Sequence, residues 1–104
     1  MAHIDFRTLR AEVDLAAVLD LLGFVPSRRR GPQLRGPCPL HAQRRPRSRS
    51  FSANLEKNVY RCFHCGSKGN HLDLWAAATH QPLRHAAIDL CKKLHHPVPR
   101  LPRR

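Results

Sequence analysis

The sequence Cys62-Phe63-His64-Cys65-Gly66 places two cysteines at C-x-x-C spacing and follows them at once with glycine. Upstream, Cys38-Pro39-Leu40-His41 has the same spacing with histidine as the second residue, and residues 42–61 separate the two pairs. The two-residue gap within each pair lets both of its side chains reach one ion, because the chain reverses between them. Structural zinc sites take four nitrogen or sulfur ligands in a tetrahedron. We therefore predict one zinc ion bound by Cys38, His41, Cys62 and Cys65.

The combination of the two pairs makes this prediction more specific than either pair alone. A single C-x-x-C also occurs in redox motifs. Gly66 suits the position after the second ligand, where the turn often needs a positive φ that a Cβ disfavours. Four protein ligands leave no open position for water, so we expect a structural ion. The remaining cysteine, Cys91, lies beside an apolar helical stripe and is predicted to be a buried thiol.

Length and composition predict a single small domain with a modest core. The chain has 104 residues, of which six are aromatic and nine are proline. The N-terminal residues contain no apolar run typical of a signal peptide, and no stretch approaches the ~20 apolar residues that span a membrane. We therefore expect a cytoplasmic protein without a membrane partner, in a reducing compartment where thiols favour metal over disulfides.

The positive charge is concentrated in the middle of the chain. The formal net charge is +12, and residues 28–49 contain no acidic residue. The arginines of that segment are Arg28, Arg29, Arg30, Arg35, Arg44, Arg45, Arg47 and Arg49. Such a field attracts polyanions, and nucleic acid is the usual one, although a solvated basic surface has the same composition. We predict that residues 42–50 form a mobile loop that orders only against phosphate.

Hydrophobic periodicity predicts helices on both sides of a short sheet. The helices are expected at 5–12, 14–22, 70–79 and 82–94. Alternation predicts strands at 33–35, 51–54 and 59–62. Residues 1–95 are predicted to form the domain, and residues 96–104 to be a basic, proline-rich, disordered tail. Apart from His41 and His64, the histidines are predicted at the surface or at helix ends.

Several stretches occur in an order that resembles the zinc-binding domain of bacterial DnaG-type primases. They are Cys-Pro-Leu-His, Ser-Phe-Ser-Ala-Asn, Val-Tyr-Arg-Cys-Phe-His-Cys-Gly-Ser-Lys-Gly-Asn and Leu-Asp-Leu-Trp, and the resemblance spans roughly residues 5–94. It implies an α+β fold, a small zinc ribbon with a short antiparallel sheet and flanking helices. Two features depart from the family pattern: Asn70 replaces the usual acidic residue, and the loop at 42–50 is richer in arginine.

The resemblance also implies a surface that contacts template DNA. Arg61 and Lys68 fall on the stretch where contact is expected, and Tyr60 and Phe63 match its aromatic positions. Packing in a small sheet core is the other interpretation of Tyr60. His64, between two predicted ligands, could point outward and contact nucleic acid. The complete predicted nucleic-acid-binding set is Arg44, Arg45, Arg47, Arg49, Tyr60, Arg61, Phe63, His64 and Lys68.

These observations predict a zinc-dependent module that binds single-stranded DNA in primer synthesis and works with a separate polymerase or helicase protein. We expect no catalysis by this chain itself, because the catalytic and helicase-binding domains of a primase are absent from the sequence. Two-metal polymerisation also needs clustered carboxylates, whereas Glu56, Asp73 and Asp89 are scattered. The alternative is a regulatory or protein-interaction zinc ribbon that binds duplex DNA, RNA or a polymerase.

Overall fold

The computed structural model describes residues 3–40 and 50–101, and within these it confirms the predicted α+β class. Two short helices come first, then an antiparallel sheet, then two longer helices. The helices are α1 (Phe6–Glu12), α2 (Leu15–Leu21), α3 (His71–Thr79) and α4 (Leu83–Lys93). The strands are β1 (Arg28–Arg30), β2 (Gln33–Gly36), β3 (Phe51–Asn54), β4 (Val59–Cys62) and β5 (Lys68–Asn70).

The sheet is an antiparallel meander with the strands in chain order from β1 to β5. Strands β2, β3 and β4 match the predicted ones. Strands β1 and β5 were not predicted, and they extend the sheet by one strand on each side. The sequence interpretation therefore missed both edges of the sheet.

Alternation along the strands gives the sheet one buried and one open face. On the buried face, one cross-strand row contains Leu34, Ala53 and Tyr60, and the next contains Gly36, Phe51 and Cys62. The open face carries a row with one residue from each strand, which we call the outer row: Arg28, Arg35, Ser52, Arg61 and Lys68. Because successive side chains of a strand point to opposite faces, the residues of the outer row lie on the face opposite to the buried rows.

An aromatic stack fills the buried face of the sheet. The Phe51 ring, with no exposed surface, lies between Phe24 at 5.2 Å and Tyr60 at 5.7 Å between ring centroids. The Tyr60 hydroxyl forms a hydrogen bond with Ser67 Oγ at 2.7 Å. Buried tyrosines usually find such a partner for the hydroxyl. Tyr60 is therefore a core residue, the second of its two sequence interpretations.

The first two helices begin and end where the sequence predicts. The Asp5 and Asp14 carboxylates accept hydrogen bonds from the amides of Thr8 and Ala17, as N-cap residues do. After α2, the amides of Gly23 and Phe24 donate to the carbonyls of Asp20 and Leu19. This pair of bonds is a Schellman motif, which satisfies carbonyls at a helix end.

Asn58 joins the β3–β4 turn to the start of α2. Its backbone is left-handed, with φ at 54°, a conformation that asparagine tolerates better than most residues. Its side-chain oxygen accepts a hydrogen bond from the Leu15 amide at 2.9 Å. The hairpin is thus attached to the N-terminal helices by a residue 43 positions later in the chain.

Helices α3 and α4 pack against each other, and α3 also contacts α2, β4 and β5. A capping box of Asn70 and Asp73 begins α3, with both reciprocal hydrogen bonds formed. The Trp75 indole donates to Asp89 at 2.9 Å, which links the two helices. Cys91 is buried, as predicted. None of the helices in residues 3–40 and 50–101 is long and apolar enough to cross a membrane.

The C-terminal segment departs from the predicted tail as far as residue 101. The Asp5 amide donates to the Pro99 carbonyl at 2.9 Å, and the Leu101 amide donates to the His3 carbonyl at 2.7 Å. Val98 packs against the core. These main-chain hydrogen bonds join the N-terminal and C-terminal segments of the domain, and proline content alone does not reveal them. Residues 102–104 lie outside the described ranges.

His71 is the first residue of α3, so it lies at a helix end as predicted, but it is also buried. Its side chain is 1% exposed, and within the described residues neither ring nitrogen makes a hydrogen bond of ordinary geometry. Burial lowers the pKa of His71, although nearby main-chain groups of Asn58, Val13 and Arg10 act in the opposite direction. The neutral imidazole is therefore the form that the fold accommodates.

We expect the protein to lose stability on acidification through His71. Since its pKa is lower in the folded chain than the usual ~6.5, the unfolded chain binds more protons between those two values. The contribution of His71 to the free energy of unfolding should then be full above pH ~6.5 and should decrease as the pH falls towards the folded-state pKa. Urea unfolding at a series of pH values measures this slope.

The matched variant for this experiment is His71→Phe, which keeps an aromatic ring and removes the titration. The metal ligands lose affinity in acid in both proteins, because protons compete for them. The informative quantity is therefore the difference between the two slopes. Equal slopes for the unaltered chain and His71→Phe would contradict the prediction.

Candidate metal centre and nucleic-acid surface

Three cysteines from two distant parts of the chain meet at one end of the sheet. The sulfur atoms of Cys38, Cys62 and Cys65 all lie within 4.8 Å of one another. Two sulfurs bound to one tetrahedral zinc at about 2.3 Å each would be about 3.8 Å apart, so this cluster fits that ion. His41, the fourth predicted ligand, lies outside the described residues.

The turn that holds Cys62 and Cys65 is fixed by its own main chain. The Gly66 amide donates to the Cys62 carbonyl at 2.9 Å, and the Cys62 amide donates to the Ser67 carbonyl at 2.8 Å. The Cys65 amide points at the Cys62 sulfur, 3.4 Å away. Gly66 has φ at +79°, as the sequence predicted, and a Cβ would strain this conformation. The turn therefore presents both sulfurs to the same point.

The sheet positions the two halves of the cluster relative to each other. Cys62 is the last residue of β4 and pairs with Phe51, which in turn pairs with Gly36 at the end of β2. Cys38 follows Gly36 by two residues. The metal ligands are thus the continuation of one buried cross-strand row. An ion bound by these ligands would fix the register of β2, β3 and β4.

The three thiols differ in burial. Cys38 and Cys62 are buried, whereas Cys65 is exposed. Burial, together with the neighbouring Cys62 and Cys65, raises the pKa of Cys38 to about 12, and the Leu40 main chain opposes this rise. A buried thiol is therefore the stable form without a cation. Zinc binds thiolates, so loading this cluster would release protons.

The open face of the sheet carries a line of cations. In the outer row, Arg28, Arg61 and Lys68 are exposed, Arg35 is partly buried, and Ser52 occupies the central position on β3. The row contains no carboxylate. On the same face the next row consists of Arg30, Gln33, Asn54, Val59 and Asn70, which adds one more cation and no acid.

Phe63 lies next to this line of cations and contacts two of them. Its amide donates to the Ser50 carbonyl at 2.7 Å, which holds it beside the start of β3. The Arg35 and Arg61 guanidinium carbons are 5.1 and 5.0 Å from the ring centroid, within cation–π range. The ring remains 56% exposed. An exposed aromatic ring held by two arginines is suited to contact a flat, negatively charged ligand.

The structure brings together only part of the predicted nucleic-acid-binding set. Arg61, Phe63, His64 and Lys68 are all exposed on or next to the open face. Tyr60 is 4% exposed on the buried face, so it supports that surface and is not accessible to a base. Four predicted residues, Arg44, Arg45, Arg47 and Arg49, lie in the segment that the structure does not describe.

Sequence reasoning did not select Arg28 and Arg35 for this surface. They belong to the β1–β2 hairpin, in which Arg30 pairs with Gln33 across the two-residue loop Gly31-Pro32. Glycine at the first position of such a loop is a hairpin signal. Had β1 been recognised, the alternation of Arg28 with Arg30 would have placed both residues on one face. The outer row would then have been predictable.

Comparison with known proteins places these features in one family. The CHC2 zinc finger model, a DnaG zinc ribbon, matches residues 2–103. The DNA primase of Listeria monocytogenes is 34% identical over 67% of this chain and 11% of that protein. The DNA primase of Synechococcus elongatus is 30% identical over 88% of this chain and 13% of that protein. The chain therefore spans roughly a tenth of the length of these relatives.

A solved structure supports the fold independently. The crystal structure of the Aquifex aeolicus primase, with its zinc-binding and RNA polymerase domains, superposes with a TM-score of 0.70 and 26% identity. The superposition covers 94% of this chain and 23% of the Aquifex chain. The similarity extends over nearly all of the described helices and strands, so it concerns the whole fold and not the cysteine turns alone.

Proposed function

Because this chain belongs to the CHC2 zinc finger family of DnaG-type primases, we propose that it binds single-stranded DNA during primer synthesis, with zinc holding the binding surface in shape. The observation that supports this most directly is the open face of the sheet. There the Phe63 ring contacts both Arg35 and Arg61, with further cations on the neighbouring strands.

The zinc ion in this proposal is single and structural. Cys38, Cys62 and Cys65 would bind it together with His41, and four protein ligands leave no position for a reacting water. When bound, it supplies cross-linking between β2 and β4 and no catalytic chemistry. Its contribution to DNA binding is indirect, because the strands that it fixes carry Arg35 and Arg61.

The exposed cations and the exposed rings have different roles in DNA binding. Arg61 and Lys68 would neutralise phosphates, which strengthens binding without reading sequence. Phe63 would stack on an unpaired base, and such stacking is sequence-tolerant because every base has a flat face. His64, exposed in the same turn, is placed to contact the same strand. A paired base offers no accessible flat face, so this surface favours single strands.

The partner in this proposal is a separate catalytic protein. The chain is similar to the zinc-binding part of the relatives, and the Aquifex structure has an RNA polymerase domain in addition to that part. We propose that such a polymerising protein elongates the primer, while this chain holds the template. A primer-synthesis assay with and without a partner polymerase tests this division, and product from this chain alone would contradict it.

We expect the unaltered chain to bind a single-stranded DNA oligomer more tightly than the matching duplex or RNA. Replacing both Arg61 and Lys68 by glutamine should weaken binding and make it less dependent on salt. For single strands, the slope of log K against log salt is about −0.7 per neutralised phosphate, so the slope should become shallower by about 1.4. Fluorescence anisotropy at several salt concentrations measures both quantities.

The matched control is Arg84→Gln on α4, which removes an exposed charge away from the sheet. It should leave affinity and slope nearly unchanged. If duplex, RNA and single strands all bind alike and binding disappears at moderate salt, only the net charge is acting. That result would contradict the proposal and favour a regulatory or protein-interaction ribbon.

A further inference from the structure

We propose that the single strand crosses the sheet at right angles to the β-strands, along the whole outer row, so that Arg28 and Arg35 belong to the binding site. This inference rests on the proposed function and adds the path of the ligand and two further contact residues. The path passes Phe63, and one of its ends is the edge strand β1.

The register of the strands places the charge across the sheet and not along it. Arg28, Arg35, Arg61 and Lys68 fall in one cross-strand row, with only Ser52 uncharged among its five members. Within β2, β4 and β5, by contrast, the same-face neighbours of these cations are uncharged. Those neighbours are Gln33, Val59 and Asn70. A polyanion that followed β2, β4 or β5 would therefore meet one cation on this face, and one that followed β1 would meet Arg28 and Arg30, whereas a perpendicular path meets four.

The dimensions of the row suit an extended chain. Neighbouring strands of a sheet are 4.7–4.9 Å apart, so the Cα atoms of Arg28 and Lys68 are about 19 Å apart across four intervals. The row extends from one edge strand of the sheet, β1, to the other, β5.

Phe63 connects the two cations that flank Ser52, the uncharged member of the row. Its ring centroid is 5.1 and 5.0 Å from the guanidinium carbons of Arg35 and Arg61. A base stacked on the exposed part of this ring would bring its phosphates close to both guanidinium groups. The same contact explains why Arg35, although partly buried, belongs with the exposed cations.

Salt-dependent binding of an oligothymidylate to the zinc-loaded chain tests the extent of the site. The four cations of the row should contribute about −2.8 to the slope, and replacing Arg28 and Arg35 by glutamine should make the slope shallower by about 1.4. Arg29→Gln is the matched control, because Arg29 pairs with Leu34 and lies on the other side of β1. It removes the same charge one residue away and should leave the slope nearly unchanged.

The direction of the path has a separate test by nuclear magnetic resonance. A nitroxide on the 5′ end of the oligomer should broaden amides at one edge of the sheet, and a nitroxide on the 3′ end should broaden amides at the other edge. The edges are β1 and β5. If each label instead broadens one end of all five strands, the DNA runs along the strands and the inference is wrong.

The experiments separate this inference from the proposed function. If Arg61→Gln and Lys68→Gln weaken binding while Arg28→Gln and Arg35→Gln do not, the protein binds single strands but the extended path is wrong. If Arg28→Gln and Arg29→Gln have equal effects, net charge alone accounts for the contribution of β1, and the path is again wrong. If none of the sheet variants changes binding, both proposals fail.

Discussion

Replacing Cys62 by serine is expected to leave the chain without a folded sheet, and chelating the metal from the unaltered protein should have the same effect. Structural zinc binding contributes about 10–16 kcal/mol in small peptides near neutral pH. The whole free energy of unfolding of a domain is only about 5–15 kcal/mol. The free energy lost with the ion is therefore as large as the whole free energy of unfolding, or larger. Circular dichroism with and without chelator, together with zinc analysis of the purified protein, measures the result.

Cys65→Ser distinguishes the metal from simple packing. Cys62 is buried, so its replacement also disturbs the core, but Cys65 is exposed and its sulfur has little packing to lose. We expect Cys65→Ser to unfold the sheet nearly as completely as Cys62→Ser. Cys91→Ser is the control, since Cys91 is buried in α4 and outside the cluster. That variant should keep its zinc. A spectrum unchanged by chelator would show that the metal has no structural role.

The parts of the fold that were predictable have signals close together in the sequence. The β3–β4 hairpin alternates over 51–62, and the α3 capping box lies within Asn70–Asp73. The Cys62–Gly66 turn likewise has its ligands and its glycine within five residues. The cysteine cluster required one long-range inference, from Cys38 to Cys62. Zinc chemistry supplied it, because a structural ion needs more ligands than one turn can provide.

The parts that were not predictable depend on partners distant in the sequence. The strand β5 is three residues long, Lys68–Asn70, and exists because β4 offers it an edge. The bridge between Ile4 and Arg100 joins opposite ends of the chain. His71 is buried because α3 packs against the N-terminal region, a contact that a polar residue at a helix start does not indicate. The outer row was missed for the same reason, since it exists only in the register of five strands.

Two phenylalanines on opposite faces of the sheet should differ in what their replacement by alanine affects: protein stability for Phe51 and DNA binding for Phe63. Phe51 is fully buried between Phe24 and Tyr60 and pairs with the metal ligand Cys62. Truncating a buried aromatic residue typically costs about 3–5 kcal/mol, so Phe51→Ala should lower the urea midpoint strongly and weaken zinc retention. Phe63, which is half-exposed, should change stability by less than about 0.5 kcal/mol, as surface substitutions usually do.

DNA binding should show the reverse order. Base stacking on an aromatic side chain contributes about 1–3 kcal/mol per base, so Phe63→Ala should weaken single-strand binding by roughly 5- to 150-fold. Where Phe51→Ala remains folded with zinc bound, its affinity should stay close to that of the unaltered chain, because the outer row is intact. Phe63→Trp serves as a second control and should retain binding. If Phe63→Ala binds normally, or if it loses stability as Phe51→Ala does, the assignment of the two faces is wrong.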